Sequence, residues 1–183
     1  EPKSVHVCTV FFRQYLEKER YKHSHIKRQI HGRNKKEATY IYEYQYAPNK
    51  EEFKLEKQRR KMGFVEGDTL LADQYFKANR FHLIVGDLPY GIVHSHNSKK
   101  AQIQASRNPK GLLEAALHGW KIVLKTGGLM VIAWNTFLIK REKMEEIFEK
   151  EGLEIIKPDS YGNIVHMVDR SIKRDILIVK KND

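Results

Sequence analysis

The sequence predicts an α/β fold, a mostly parallel sheet with helices on both faces. Three observations lead there. From residue 63 onward, short apolar runs alternate with helical stretches, the pattern of strands joined by crossover helices. Two of the runs end in acidic turns, Gly67-Asp68 and Asp87-Leu88-Pro89-Tyr90. A third run, Leu129 to Trp134, opens on Gly127-Gly128. Ligands of such sheets lie beyond the carboxyl ends of the strands, where both acidic turns fall.

The elements follow in order. Residues 4–30 read as one long helix. Val5, Cys8, Val10, Phe11, Phe12, Tyr15 and Leu16 give it an apolar face, and Arg13, Lys18, Arg20, Lys22, Lys27 and Arg28 a basic one, with Gly32 as the stop. Residues 38–46 are rich in strand formers and place Tyr40, Tyr42, Tyr44 and Tyr46 on one face at period two. Pro48-Asn49 breaks this strand, and the charged stretch 50–62 reads as helical. Strands are expected at 63–67, 81–86, 128–134, 153–157 and 174–180, helices at 70–79, 110–125 and 140–151. Residues 162–170 read as a further strand or an ordered loop. The whole, 1–183, reads as one domain: a basic helix, Tyr-rich strand and charged insertion over 1–62, then an α/β core over 63–183.

Composition narrows the class. The 183 residues, 40% hydrophobic, can bury a core. A net charge of +11 implies a polyanionic partner, nucleic acid or an anionic membrane surface. No run approaches 18 apolar residues, and no amphipathic anchor with exposed Trp and Phe argues for a membrane. The start, Glu1-Pro2-Lys3-Ser4, does not read as a signal peptide. The single cysteine, Cys8, excludes an internal disulfide and fits a reducing cytoplasm as a core or near-core thiol.

The turn 87–90 carries the chemistry. An exocyclic amine on a nucleobase is a poor nucleophile, because its lone pair is delocalised into the ring. Asp87 and the Leu88 carbonyl can each accept one of its N–H bonds and aim the lone pair at a methyl donor. Pro89 shapes the turn. Tyr90 can stack on the base, a contact worth roughly 1–3 kcal/mol. The plainer reading of these residues is an Asp-x-Pro turn ending a strand.

The order strand, acidic turn, strand, acidic-Pro-aromatic turn, helix, Gly-Gly, strand resembles a Rossmann-like class I methyltransferase. More narrowly, the chain resembles the RNA methylase family that includes the tRNA guanosine N2-methyltransferases, in a small bacterial branch. The likeness runs from about residue 60 to the end. It is most specific in Val85-Gly86-Asp87-Leu88-Pro89-Tyr90-Gly91 and extends through Arg107-Asn108-Pro109, Trp134-Asn135 and Ser171-Ile172-Lys173-Arg174-Asp175. The family pattern at the turn is Asp-Pro-Pro-Tyr. With Leu88 in second place the carbonyl acceptor survives, but the rigidity of the first proline does not.

The resemblance implies an S-adenosylmethionine-dependent enzyme that methylates guanosine N2 in tRNA or other structured RNA. Asp87, Leu88, Pro89 and Tyr90 would be catalytic. Asp68 and Thr69 would hold the cofactor adenine, with Gly86 beside it and Glu1 on the ribose. Asp68 or Thr69 is equally a strand-to-helix cap. The family opens with a strand and a glycine loop, whereas Gly32 is the only glycine before residue 63. The chain is therefore expected to lack the first strand and that loop, as a fragment or as a copy that has lost them.

The acid-free segment 91–113 carries Lys99, Lys100, Arg107 and Lys110, placed to hold substrate phosphates. His94 and His96 have no third ligand at suitable spacing, and no metal is expected. The tyrosine face at 40–46 reads first as aromatics packed on the first helix, and second as an RNA surface. Trp134-Asn135 reads as pocket wall or as core and turn. The partner expected is RNA, with a second copy or a separate domain supplying substrate capture. N6-adenine methylation of DNA and a catalytically impaired RNA-binding module are the rival readings.

Overall fold

The computed structural model describes residues 2–31, 38–90, 109–157 and 165–182. The chain divides into two compact units, Glu1–Asp68 and Thr69–Asp183.

In the first unit, helix α1 (Pro2–Lys18) is followed by strand β1 (Lys22–His31), strand β2 (Ala38–Ala47), a short helix α2 (Lys50–Lys54) and strand β3 (Arg60–Glu66). The long helix expected over 4–30 is thus a helix and a strand. The chain reverses at Arg20, which takes a left-handed φ of 57°. Tyr21 N–H donates to the Leu16 carbonyl at 2.8 Å and Arg20 N–H to Glu17 at 3.1 Å, the paired bonds of a Schellman stop. Tyr15 and Tyr21 close it with their rings 6.2 Å apart. A non-glycine residue ends the helix, so Gly32 has no part in the stop. The inward helical face is Val5, Thr9, Phe12 and Leu16, and Cys8 is exposed rather than near the core. Asn49 caps α2, its side chain accepting from Glu52 N–H at 2.9 Å. That helix ends at Lys54, well short of residue 62.

The strands form an antiparallel sheet in the order β1-β2-β3. Phe12 meets Tyr44, Tyr46 and Phe64 edge-on at 5.3–5.7 Å, and the Tyr44 hydroxyl donates to the Thr9 carbonyl at 3.1 Å. The far half of the tyrosine row lies under Lys27, whose Nζ sits 4.1 Å from the Tyr40 ring centroid. The helix-packed reading of the row therefore holds for Tyr44 and Tyr46. Strand β3 belongs to this antiparallel sheet, not to the α/β core in which 63–67 was expected. The boundary falls at 68/69 instead of 62/63.

The second unit opens with a 3-10 turn (Thr69–Leu71) and the four-residue helix α3 (Ala72–Tyr75), shorter than the helix expected at 70–79. Strand β4 (Phe81–Asp87), helix α4 (Pro109–Val123) and strand β5 (Leu124–Asn135) make a βαβ unit, with β4 and β5 parallel. Helix α5 (Arg141–Lys150), β6 (Leu153–Ile156), β7 (His166–Met167) and β8 (Lys173–Lys181) complete it. Pro109 suits the first helical position, where its missing N–H costs nothing.

The sheet order is β4-β5-β8-β6, with β7 also on β8. Strand β8 is antiparallel to β5, β6 and β7. Four strands therefore share one direction, although β4-β5 is the single parallel pair among the described strands. The α/β, Rossmann-like class expected from the sequence is present, as a mixed sheet.

Gly127 takes a φ of +75°, and a Cβ on Gly128 would lie 2.7 Å from the Lys125 carbonyl. The pairing with β4 jumps here, from Phe81–Leu124 to Leu83–Leu129, so the glycine pair builds a bulge.

Alternation sorts the sheet faces. Met130, Ile132 and Trp134 of β5 and Leu177 and Val179 of β8 point one way. They form one buried cluster with Leu113 and Leu117 of α4 and Met144, Ile147 and Phe148 of α5. Both long helices of this unit cover that same face, so the expectation of helices on both faces does not hold among the described residues. The other face shows Leu83 and Val85, 52% and 70% exposed.

Candidate active site at the end of strand β4

Strand β4 delivers Asp87 to its carboxyl end, paired in register with Ala133 of β5. Alternation puts Asp87 on the same face as Leu83 and Val85, away from the helices, and its side chain is 54% exposed. The next residue turns inward. Leu88 is buried in the main core cluster, and its N–H donates to the Ala133 carbonyl at 2.9 Å. A proline in this place could not make that bond. The looseness expected from losing the first proline is thus offset by a backbone hydrogen bond and a buried side chain.

Pro89 then brings Tyr90 back over Asp87. The Tyr90 hydroxyl donates to Asp87 Oδ1. Arg174, near the start of β8, donates from Nε to the same hydroxyl at 2.7 Å. Its guanidinium carbon lies 5.4 Å from the Tyr90 ring centroid, and its Nη2 is 4.0 Å from Asp87 Oδ2. Oδ2 is therefore beyond hydrogen-bond reach of Arg174. Burial, then the hydrogen bond to Asp87, holds the Tyr90 phenol above its ordinary pKa, while the Arg174 hydrogen bond works against them. The phenol stays protonated and remains a donor to Asp87.

The support behind Arg174 is well braced. Asn135, in register with Arg174, is buried. Its Nδ2 donates to the Ser171 carbonyl at 2.9 Å, and its Oδ1 accepts from Lys173 N–H at 3.1 Å and Phe137 N–H at 3.2 Å. The Asp169 carboxylate caps the preceding turn, accepting from Ser171 Oγ and N–H and from Ile172 N–H; these bonds, the hydroxyl's first, lower its pKa. Trp134 is buried and donates to the Ile139 carbonyl at 2.8 Å. Trp134 and Asn135 are core and brace, which decides between their two readings.

Of the residues expected on the cofactor, Thr69, Gly86 and Asp68 are described. Thr69 Oγ1 accepts from Trp120 Nε1 at 2.9 Å, which ties it to α4. A Cβ on Gly86 would lie 3.2 Å from Ile132 Cδ1, so the glycine lets β4 pack closely on the core. Asp68 is exposed and follows β3 in the first unit, not a strand beside β4. Glu1 lies outside the described residues.

Among the phosphate candidates, Lys110 stands in the first turn of α4 with its Nζ 3.7 Å from Glu114, a half-exposed pair. Lys99, Lys100, Arg107, His94 and His96 lie outside the described residues. Among the described residues, no group of three or more His, Cys, Asp or Glu is placed to hold a metal, and no helix is long and apolar enough to cross a membrane.

Arg174 lies in the family-like segment Ser171–Asp175, where the resemblance implies no role for it. No spacing rule could supply one, because 84 residues separate it from Tyr90.

No protein-family model matches the chain, and no curated protein sequence does. Solved structures match it weakly. One is a protein of Thermus thermophilus provisionally assigned as a DNA modification methylase. The match has 17% identity and a TM-score of 0.42 over 64% of this chain and 51% of that one. Another is the 16S rRNA N2-guanosine methyltransferase RsmC, also of Thermus thermophilus, with 18% identity and a TM-score of 0.31 over 62% of this chain and 23% of that one. A third is the carbon methyltransferase CurJ, with 13% identity and a TM-score of 0.40 over 64% and 34%. The chain spans about half the length of the DNA modification methylase structures it matches.

Proposed function

We propose that this chain methylates the exocyclic amine of a nucleobase, guanosine N2 in tRNA or other structured RNA, with S-adenosylmethionine as donor. The observation that supports this best is the turn at the end of β4. Asp87 leaves the sheet at the carboxyl end of a parallel strand, half-exposed, with Oδ2 beyond hydrogen-bond reach of Arg174 and Tyr90 fixed beside it. The charge of +11 suits a polyanion, and binding driven by phosphate contacts falls steeply with salt.

When bound, the donor supplies an electrophilic methyl group on a sulfonium. The protein's part is orientation. Asp87 accepts one N–H of the amine and turns its lone pair outward. As positive charge develops on nitrogen, the same carboxylate stabilises it. No strong base is needed, because a methylated aryl ammonium is acidic and loses its proton to solvent. Tyr90, its hydroxyl anchored, offers its ring to the base. We place the protein in the cytoplasm, with RNA as partner and a second copy or a separate domain assisting capture.

The rival is an RNA-binding module without catalysis, favoured by Leu88 in the turn and by Gly32 being the only glycine before residue 63. Labelled methyl transfer to unmodified tRNA and to duplex DNA, read by nucleoside mass spectrometry, separates the cases. N2-methylguanosine in RNA supports the proposal, and N6-methyladenine in DNA replaces it with the other enzyme. Under the proposal, Asp87→Ala abolishes product and barely changes RNA affinity. Unchanged product from that variant removes Asp87 from the mechanism. A folded protein that binds RNA, transfers no methyl group and gives no heat with S-adenosylhomocysteine is the binding module.

A further inference from the structure

We propose that Arg174 is a positioning residue for this reaction, acting through the Tyr90 hydroxyl to make Asp87 and Tyr90 one rigid unit. The inference rests on the methyltransferase reading for its chemistry and on the hydrogen-bond geometry for its substance. A phenol has one proton to give and lone pairs to receive. Tyr90 gives its proton to Asp87 Oδ1 and receives Nε–H of Arg174 at 2.7 Å. With both roles taken, the ring is held from two sides and the Asp87 carboxylate keeps one rotamer. Oδ2, 4.0 Å from the guanidinium, is left for the substrate amine.

Arg174 is suited to this by its backing. Its neighbour Asp175 points to the opposite face, buried, and binds Arg141 Nη1 at 2.7 Å. On the other side Asn135 grips Lys173 and Ser171. The strand carrying Arg174 is thereby clamped to β5 and α5, while its own side chain, 38% exposed, reaches the turn. Leu88 anchors the near side of that turn through the core, and Arg174 anchors the far side through Tyr90. Together they supply the stiffness that a first proline would give.

The test is a double-mutant cycle on methyl transfer with Arg174→Ala and Tyr90→Phe. If Arg174 acts through the hydroxyl, Arg174→Ala lowers kcat about tenfold or more in the parent and less than about threefold in the Tyr90→Phe background. KM for RNA moves little, and Arg174→Lys restores part of the loss. Equal losses in both backgrounds overturn the proposal, as does a loss confined to KM.

A second readout needs no activity. The ring-carbon NMR signal of Tyr90, identified by its absence in Tyr90→Phe, titrates above an ordinary tyrosine in the parent. Without the guanidinium hydrogen bond it titrates higher still. An unmoved midpoint in Arg174→Ala overturns the proposed contact. If no methyl transfer is found with any nucleic acid, the functional reading fails, and this titration still decides whether Arg174 acts on Tyr90.

Discussion

Replacing Leu88 with proline restores the Asp-Pro-Pro-Tyr pattern that the turn resembles, yet the structure predicts that it weakens the protein. Three contributions decide the sign. The Leu88 N–H bond to the Ala133 carbonyl at 2.9 Å is lost, which costs about 1 kcal/mol net. The buried Leu88 side chain, part of the main core cluster, gives way to a smaller ring. Losing one or two buried methylene equivalents costs about 1–2 kcal/mol. Against these, proline restricts the unfolded chain and returns about 0.4–1 kcal/mol. The net is a loss of about 2 kcal/mol.

Denaturant unfolding of both proteins, followed by tryptophan fluorescence, measures this difference. Trp120 and Trp134 are the two tryptophans, and both lie in the second unit with the substituted residue. Hydrogen exchange gives the local version, with faster exchange at amides around Ala133. Stability equal to the parent's or greater would mean that neither the hydrogen bond nor the buried leucine supports the turn.

The other predictions concern separate parts of the fold. Arg20→Gly relieves the left-handed φ of 57° at the end of α1 and should stabilise the first unit by about 1 kcal/mol in the same unfolding assay, provided the substitution keeps the Schellman bonds. Gly128→Ala places a Cβ 2.7 Å from the Lys125 carbonyl and should destabilise by about 1–3 kcal/mol; a change under about 0.5 kcal/mol would show that the bulge yields freely. Glu146 titrates at about 2, lowered by hydrogen bonds from Lys143 and then Lys150. Its contribution to stability is present above the ordinary carboxylate pKa and is lost as the pH falls towards 2. Carboxyl NMR titration of the parent and of Lys143→Met should show the Glu146 midpoint rising in the variant.

Much of the α/β unit was legible in the sequence because its signals are local. The apolar runs 81–86 and 128–134 appear as β4 and β5, and the helix expected at 110–125 is α4, Pro109–Val123. The acidic-Pro-aromatic turn falls at a strand's carboxyl end, as its composition implied. Residues 22–31 went wrong for a physical reason. Ile26 and Ile30 are spaced like a helix face, but tertiary pairing with β2 across all ten residues outweighs that weak preference. The stop before them is an arginine in a glycine's place, a choice invisible to composition.

The residues alone carry the chemistry on offer: a carboxylate, a leucine, a proline and a tyrosine in four consecutive places. Nearest-neighbour geometry and short-range periodicity are enough for that. Long-range packing sets β3 beside β2 and β4 beside β5, and puts both long helices of the second unit on one face of its sheet. It also anchors the turn in the core through Leu88 and closes Arg174 over Tyr90. These depend on which distant segments bury one another, and the energy that settles them belongs to pairs of residues far apart in the chain.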